Sequence, residues 1–354
     1  MKDRLKRLHN LIKQENVDGM IVTKPENRRY FSGFTGTAGM LLITAEGRWL
    51  ITDFRYIEQA ARQAPDFEVV RHGSGIYETL AGLLKPLGLA RIGFEADYVT
   101  WDVYHALNAS VGAELVPLRL DGLRMVKDHD ELLLLKKAVA IADHAFEHIL
   151  SFIKPGISER EIALELEFAM RRQGAEKAAF DIIVASGARS ALPHGVASEK
   201  IIEAGDLVTL DFGAVYQGYH SDITRTVVIG RASAKQRQIY DIVLAAQQTG
   251  VSALSPGLAG SEVDKAARAV IADAGYGEFF GHGLGHGVGL AIHEEPRLSP
   301  TGSVILEENM VVTVEPGIYL PEWGGVRIED MVVLTASGCE VLTGSSKQLI
   351  ELDW

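Results

Sequence analysis

The sequence predicts two domains of different class: an α/β domain over residues 1–122, then an α+β domain over 128–354 with an internal pseudo-twofold duplication. Three observations lead there. At 354 residues the chain exceeds what one hydrophobic core usually serves. Short β-rich runs alternate with helical patterns in its first third. In the remainder, one helix–stop–helix pattern occurs twice.

Composition narrows the function classes. With 47% apolar and 23% charged residues the chain reads as globular. A net charge of −12 argues against nucleic acid or an anionic membrane surface as partner. The single cysteine, Cys339, excludes an intrachain disulfide and fits a reducing compartment. The opening MKDRLKRLHNLIKQENVDG is a charged amphipathic helix pattern rather than a leader with an apolar core. No apolar run approaches the ~20 residues that span a bilayer. A cytoplasmic protein is expected.

In the first domain a helix is expected near residues 2–15, leading into the strand DGMIVTK. GMLLITAEGRWLITD reads as a hairpin turning at Ala45-Glu46-Gly47. A helix through Tyr56 to Ala64 and the strands FEVVR and RIGFEA continue the alternation. This part carries no histidine cluster and no phosphate loop.

From Asp130 onward, ELLLLKKAVAIADHAFEHILSFI keeps apolar residues at helical spacing until Lys154-Pro155-Gly156. Ser158 and Glu161 then form a capping box that opens EREIALELEFAMRRQG. The second copy runs AKQRQIYDIVLAAQQTGVSAL, then Ser255-Pro256-Gly257, then EVDKAARAVIADAG opened by Ser261 and Asp264. A histidine-bearing β-like segment follows each pair: AFDIIVASGARSALPHG and EFFGHGLGHGVGLAIHE. A duplicated half places a site on the pseudo-twofold axis, between two curved sheets.

The acids come next. In GDLVTLDFGAVYQGYHSDITRTVVIG, a turn centred between Tyr216 and Gln217 sets Asp211 directly opposite Asp222. Facing Cβ atoms lie ~5 Å apart. Two carboxylates that close call for a cation, unless the register differs and one Asp faces solvent. MVVTVEPGIYL puts Glu315 at the end of an apolar strand. GVRIEDMVVL puts Glu329 within a β-like run, with Arg327 two residues earlier on the same face. Each glutamate alone reads as a solvated face. Four carboxylates around one centre, with a histidine, would balance two divalent cations, Mn²⁺ or Co²⁺ first and Zn²⁺ or Fe²⁺ also suited. The stretch GHGLGHGVGLAIHEEP fits no G-x-G-x-x-G, no Walker loop and no H-E-x-x-H.

At these residues the sequence resembles the pita-bread metallopeptidases: proline dipeptidase, aminopeptidase P and, more distantly, methionine aminopeptidase. The resemblance is carried by H-G-L-G-H-G-V-G-L-A-I-H-E from His282 to Glu294, with D-F-G, S-D-I-T-R-T, V-E-P-G-I-Y and G-G-V-R-I-E-D. NRRYFSGFTG and DFRY resemble the creatinase/prolidase N-terminal domain. The resemblance implies five metal ligands, Asp211, Asp222, His286, Glu315 and Glu329. Asp222 and Glu329 would bridge two metals, with Asp211 on one side and His286 with Glu315 on the other. It implies that the glycines let a bare strand approach the dinuclear centre. It further implies cleavage of an Xaa-Pro bond by a metal-bridging hydroxide, with Glu315 moving the proton. His293 would stabilise the oxyanion, His282 hold the peptide or assist proton transfer, and His194 line the substrate pocket. Arg297 would pair with a dipeptide's free carboxylate and Arg327 orient ligands. Family members often pair, so a homodimer is expected.

Two other readings stand beside the Xaa-Pro dipeptidase. One is an aminopeptidase P acting on longer peptides. The other, of a different class, is a non-catalytic pita-bread binding protein; such relatives lose ligands, and all five positions are intact here.

Overall fold

The computed structural model describes residues 2–353. The chain divides into two compact units, Met1–Arg124 and Met125–Trp354.

The first unit is built on one six-stranded mixed sheet. Its strands are β1 (Gly19–Val22), β2 (Met40–Thr44), β3 (Arg48–Thr52), β4 (Glu68–Arg71), β5 (Arg91–Glu95) and β6 (Glu114–Leu118), in the order β4-β3-β2-β1-β5-β6. β1 pairs antiparallel with β2 and parallel with β5, and all four of its residues are buried. A strand covered on both faces needs the unbroken apolar run GMIV. Helices α1 (Lys2–Gln14), α2 (Pro25–Ser32), α3 (Ile57–Gln63), α4 (Ile76–Leu84) and α5 (Trp101–Val111) complete the unit. Ile21, Leu42, Ile51, Leu80, Ile92 and Leu107 share its core.

In the second unit, α6 (His129–Leu150) and α7 (Glu159–Arg172) form the first helix pair, and α8 (Ala234–Ala253) and α9 (Gly260–Asp273) the second. The copies agree in detail. Gly156 and Gly257 both take φ 93°, in the left-handed region that favours glycine. Their N–H groups donate to Ile202 (3.0 Å) and Leu306 (2.8 Å). Bridges Ser158↔Ile201 and Ala259↔Ile305 follow at matching places. Ser158 and Glu161 cap α7 reciprocally. The expected Ser261–Asp264 box does not form. α9 begins a residue before Ser261, and Glu262 reaches back to the Ala259 N–H at 2.7 Å. Asp264 instead accepts from Arg268 and from the Leu284 N–H.

The first half contributes β7 (Lys177–Ala178), β8 (Ile183–Ser186), β9 (Leu207–Phe212), β10 (Ala214–Tyr216), β11 (Tyr219–His220) and β12 (Ile223–Ile229). The second contributes β13 (Gly285–Gly287), β14 (Glu294–Leu298), β15 (Val311–Val314), β16 (Gly317–Leu320), β17 (Gly324–Arg327), β18 (Asp330–Thr335), β19 (Gly338–Val341) and β20 (Ile350–Leu352). Two larger sheets result, β20-β12-β9-β8 and β14-β13-β15-β18-β19, beside the small sheets β11-β10-β7 and β16-β17. α6 and α7 pack on the first through Phe146, Ile162, Val184 and Leu210. α8 and α9 pack on the second through Val243, Ile271, Leu284 and Val312. No helix among the described residues is long and apolar enough to cross a membrane.

Two expected placements are corrected here. The hairpin turns on Gln217 and Gly218, both at positive φ (44° and 73°), as a two-residue turn that matches strand twist. That shifts the register by two, so Asp211 faces Thr224 and Asp222 lies diagonally on the same face. GVRIEDMVVL is not one strand: β17 ends at Arg327 and β18 begins at Asp330, leaving Glu329 in the break between two sheets. There its N–H donates to the Thr224 carbonyl (3.1 Å), tying the halves together.

Candidate metal centre

Asp222, His286 and Glu329 are all buried, and one donor atom from each lies within 4.8 Å of the others. His286 Nε2 stands 3.6 Å from Asp222 Oδ2 and 3.3 Å from Glu315 Oε1. Asp211 sits at the side of this group, paired to Arg327 at 2.6 Å. β9 supplies Asp211, the residues ahead of β12 supply Asp222, and β13 supplies His286. Glu315 follows β15 directly.

His286 Nδ1 donates to the Gly287 carbonyl at 3.1 Å, which turns the lone pair of Nε2 toward the carboxylates. Burial pushes its pKa down to about 3, with His293 adding to the fall, so the ring is neutral. The carboxylates move the other way. Burial, then the charge of Glu329, Asp211 and Glu315, holds Asp222 well above the usual range. Glu329 is raised by burial and by Glu315 and Asp211. Glu315 is pushed up to about 7, mainly by burial. Among the described residues no lysine or arginine ion-pairs with Asp222, Glu315 or Glu329. Concentrated buried anion with one imidazole is a donor set that fits divalent cations.

Thr224, Thr313 and Tyr319, which sequence reasoning missed, help Arg327 hold this arrangement. Thr224 donates its hydroxyl to Glu329 at 2.7 Å, and Thr313 donates to Glu315 at 3.1 Å. Arg327 donates to Asp211, to Thr224 Oγ1 (3.1 Å) and to the Tyr319 hydroxyl (2.9 Å). Tyr319 in turn meets His282 Nε2 at 2.8 Å, while His282 Nδ1 meets the Gly283 carbonyl at 2.8 Å. Both ring nitrogens of His282 are thus engaged by the protein, and burial lowers its pKa to about 4. Thr224 lies in S-D-I-T-R-T and faces Asp211 only in the observed register, which the expected turn did not give.

In the glycine-rich stretch 281–289 only Gly285–Gly287 is strand. A Cβ on Gly285 would fall 2.0 Å from the Thr313 carbonyl, and one on Gly287 would fall 2.2 Å from that of Glu295. These two glycines let β13 press against β14 and β15, backbone to backbone.

A cavity of about 580 Å³ opens over the centre, a size suited to a small peptide. Asp211, Asp222, His286, Glu315, Arg327 and Glu329 line it, together with His194, His282, His293 and Arg297. The His293 ring packs edge-on against His286, centroids 4.4 Å apart. Arg297 sits directly opposite His286 across the β13–β14 ladder. Its guanidinium makes no ion pair or hydrogen bond with any described residue, because Glu294 is taken by Lys127 at 2.6 Å.

A buried, acid-rich centre with one neutral imidazole, set between the halves of a duplicated α+β unit, defines a metal-dependent hydrolase. Comparison with known proteins gives the family. Residues 134–336 match Metallopeptidase family M24, and residues 4–126 match the Creatinase/Prolidase N-terminal domain. An Xaa-Pro dipeptidase of Pyrococcus furiosus is 41% identical over 352 residues, covering 99% of this chain and 100% of the relative. A solved Xaa-Pro dipeptidase from Bacillus anthracis is 52% identical with a TM-score of 0.97, covering 99% of each chain. A solved X-Pro aminopeptidase from Thermotoga maritima is 41% identical with a TM-score of 0.90, covering 95% of this chain and 97% of that one. The chain belongs to metallopeptidase family M24, with a creatinase-type N-terminal domain ahead of a pita-bread catalytic domain.

Proposed function

We propose that the chain hydrolyses Xaa-Pro dipeptides at two divalent metals held by Asp211, Asp222, His286, Glu315 and Glu329. When bound, the metals supply a water of lowered pKa as nucleophile and a Lewis acid for the scissile carbonyl. Asp222 and Glu329 would be shared between the two ions, Asp211 would hold one of them, and His286 with Glu315 would hold the other. Glu315 accepts the nucleophile's proton on the oxygen not engaged by Thr313 and passes it to the leaving proline nitrogen. His293 donates an N–H to the oxygen that gains charge at the attacked carbon. His194 closes on the proline side. His282 acts on the centre through Tyr319 and Arg327 rather than on the peptide, since both its nitrogens are already engaged.

The observation that carries the dipeptidase reading is Arg297. A cation facing the cavity beside His286, with no partner among the described residues, suits a free carboxylate as a bidentate donor. The resemblance also supports Mn²⁺ as the metal, with Co²⁺ or Zn²⁺ accepted, and a cytoplasmic homodimer. The test is Arg297→Met assayed on Ala-Pro and on Ala-Pro amide. A preference for the free dipeptide that disappears in the variant supports the reading. Unchanged KM for Ala-Pro would remove it. The aminopeptidase P reading keeps its place because an X-Pro aminopeptidase is as similar as the archaeal dipeptidase. It requires the proline side of the cavity to admit further residues.

A further inference from the structure

Glu159 stands at the first position of α7, fully buried and away from the metal centre. Its carboxylate collects donors from both feet of the loop that carries His194. From the near foot, Ser186 donates its N–H (2.8 Å) and its hydroxyl (2.9 Å) to Oε1. From the far foot, Ser198 donates its N–H (3.1 Å) and its hydroxyl (2.6 Å) to Oε2. Arg189, inside the loop, also donates to Oε2 and ties its other nitrogen to the Val196 carbonyl at 3.0 Å.

Between these feet the chain presents Pro193, His194 and Val196 to the cavity. The same loop leaves Leu192 and Val196 about half exposed (52% and 49%). Apolar burial therefore does little to hold it, and such segments open easily unless tied. Hydrogen bonds to an ionised carboxylate are the strong kind.

We propose that Glu159 is a positioning residue that fixes the His194 loop as a preformed wall of the substrate cavity, so that binding does not have to order it. The proposal rests on His194 facing the substrate. An ordered wall lowers the cost of binding, whereas a loose one charges that ordering to substrate affinity. Replacing Glu159 by Gln keeps one acceptor for Ser186 and turns an amide NH₂ toward Ser198 and Arg189, donor against donor. The far foot is then released.

The experiment compares wild type with Glu159→Gln, both metal-loaded, by hydrogen exchange and by steady-state kinetics on Ala-Pro. Exchange in peptides covering 187–197 should quicken at least tenfold while α6 and β9 keep their protection. Metal content should not change. KM should rise roughly five- to tenfold with kcat within about twofold. Ser198→Ala, which removes one hydroxyl donor and leaves the buried charge paired, should shift exchange and KM in the same direction by less. It carries the test if the Glu159→Gln variant does not fold. Unchanged loop exchange in the folded variants overturns the clamp. A loosened loop with unchanged KM overturns its role in binding. A wild type that cleaves no Xaa-Pro peptide defeats the functional reading, and the exchange result still decides the clamp by itself.

Discussion

In the metal-free protein, replacing Glu315 by Gln should raise stability at alkaline pH, not lower it. In the metal-free fold, burial raises Glu315 from 4.5 to about 7; Arg327 opposes the rise and Asp211 adds to it. In the unfolded chain a glutamate titrates near about 4.3. Between those values the fold holds a proton that the unfolded chain has released, so stability falls as pH climbs through the window. The full rise is worth about 3 kcal/mol, absent below about pH 4 and wholly felt above about pH 7. Gln keeps the Thr313 hydrogen bond through its amide oxygen and brings no charge. Loss of that charge also relieves Asp222 and Glu329, in the same direction. Urea unfolding in chelator should therefore find Glu315→Gln ahead of wild type by about 3 kcal/mol near pH 8, with the gap closing toward pH 4. With saturating Mn²⁺ the order should reverse, because the carboxylate then has cations to bind. Equal stabilities near pH 8 without metal, or a weaker Gln variant there, would refute the reasoning.

Two further outcomes follow from the same geometry. Gly285→Ala drives a Cβ to 2.0 Å from the Thr313 carbonyl and must lift β13 from β15; about 1–3 kcal/mol should be lost on urea unfolding. Its grip on metal, read by chelator competition, should weaken at least tenfold because His286 moves with the strand. Lys127→Met removes the buried amine that donates to the Glu294 carboxylate at 2.6 Å, both side chains being almost wholly buried, at a cost of about 3–5 kcal/mol. Adding Glu294→Leu should recover most of that, and a double variant as weak as the single would show that the pair is not the cause.

Much of the architecture was legible because it is written locally. Ser158 with Glu161, Gly156 with Gly257, and the apolar periodicity of α6 to α9 each act over a few residues, and together they reveal the duplication. Other features depend on partners far along the chain. α2 escapes notice because its entry is held from afar: Glu95 accepts from the N–H groups of Thr23 (2.5 Å) and Lys24 (2.7 Å), just ahead of the helix, across some seventy residues. The hairpin register differs by two from the expected one because a glutamine at positive φ is an uncommon first turn residue. The residues singled out as site candidates do gather round one cavity. Their supports, Thr224, Thr313, Tyr319 and Glu159, carry no charge pattern or spacing that marks them, since their function exists only once the sheets meet.

Metal-dependent cleavage of the Xaa-Pro bond is the central claim, and one assay reaches it directly. Metal-stripped enzyme, reloaded with Mn²⁺, is given Ala-Pro and Ala-Pro-Pro-Ala in parallel and initial rates are compared. Faster hydrolysis of the dipeptide, dependent on added metal, is the predicted result. Preference for the tetrapeptide would contradict the carboxylate role of Arg297 and make this an aminopeptidase. No cleavage of either, with Mn²⁺ or Co²⁺, would contradict the proposed chemistry altogether.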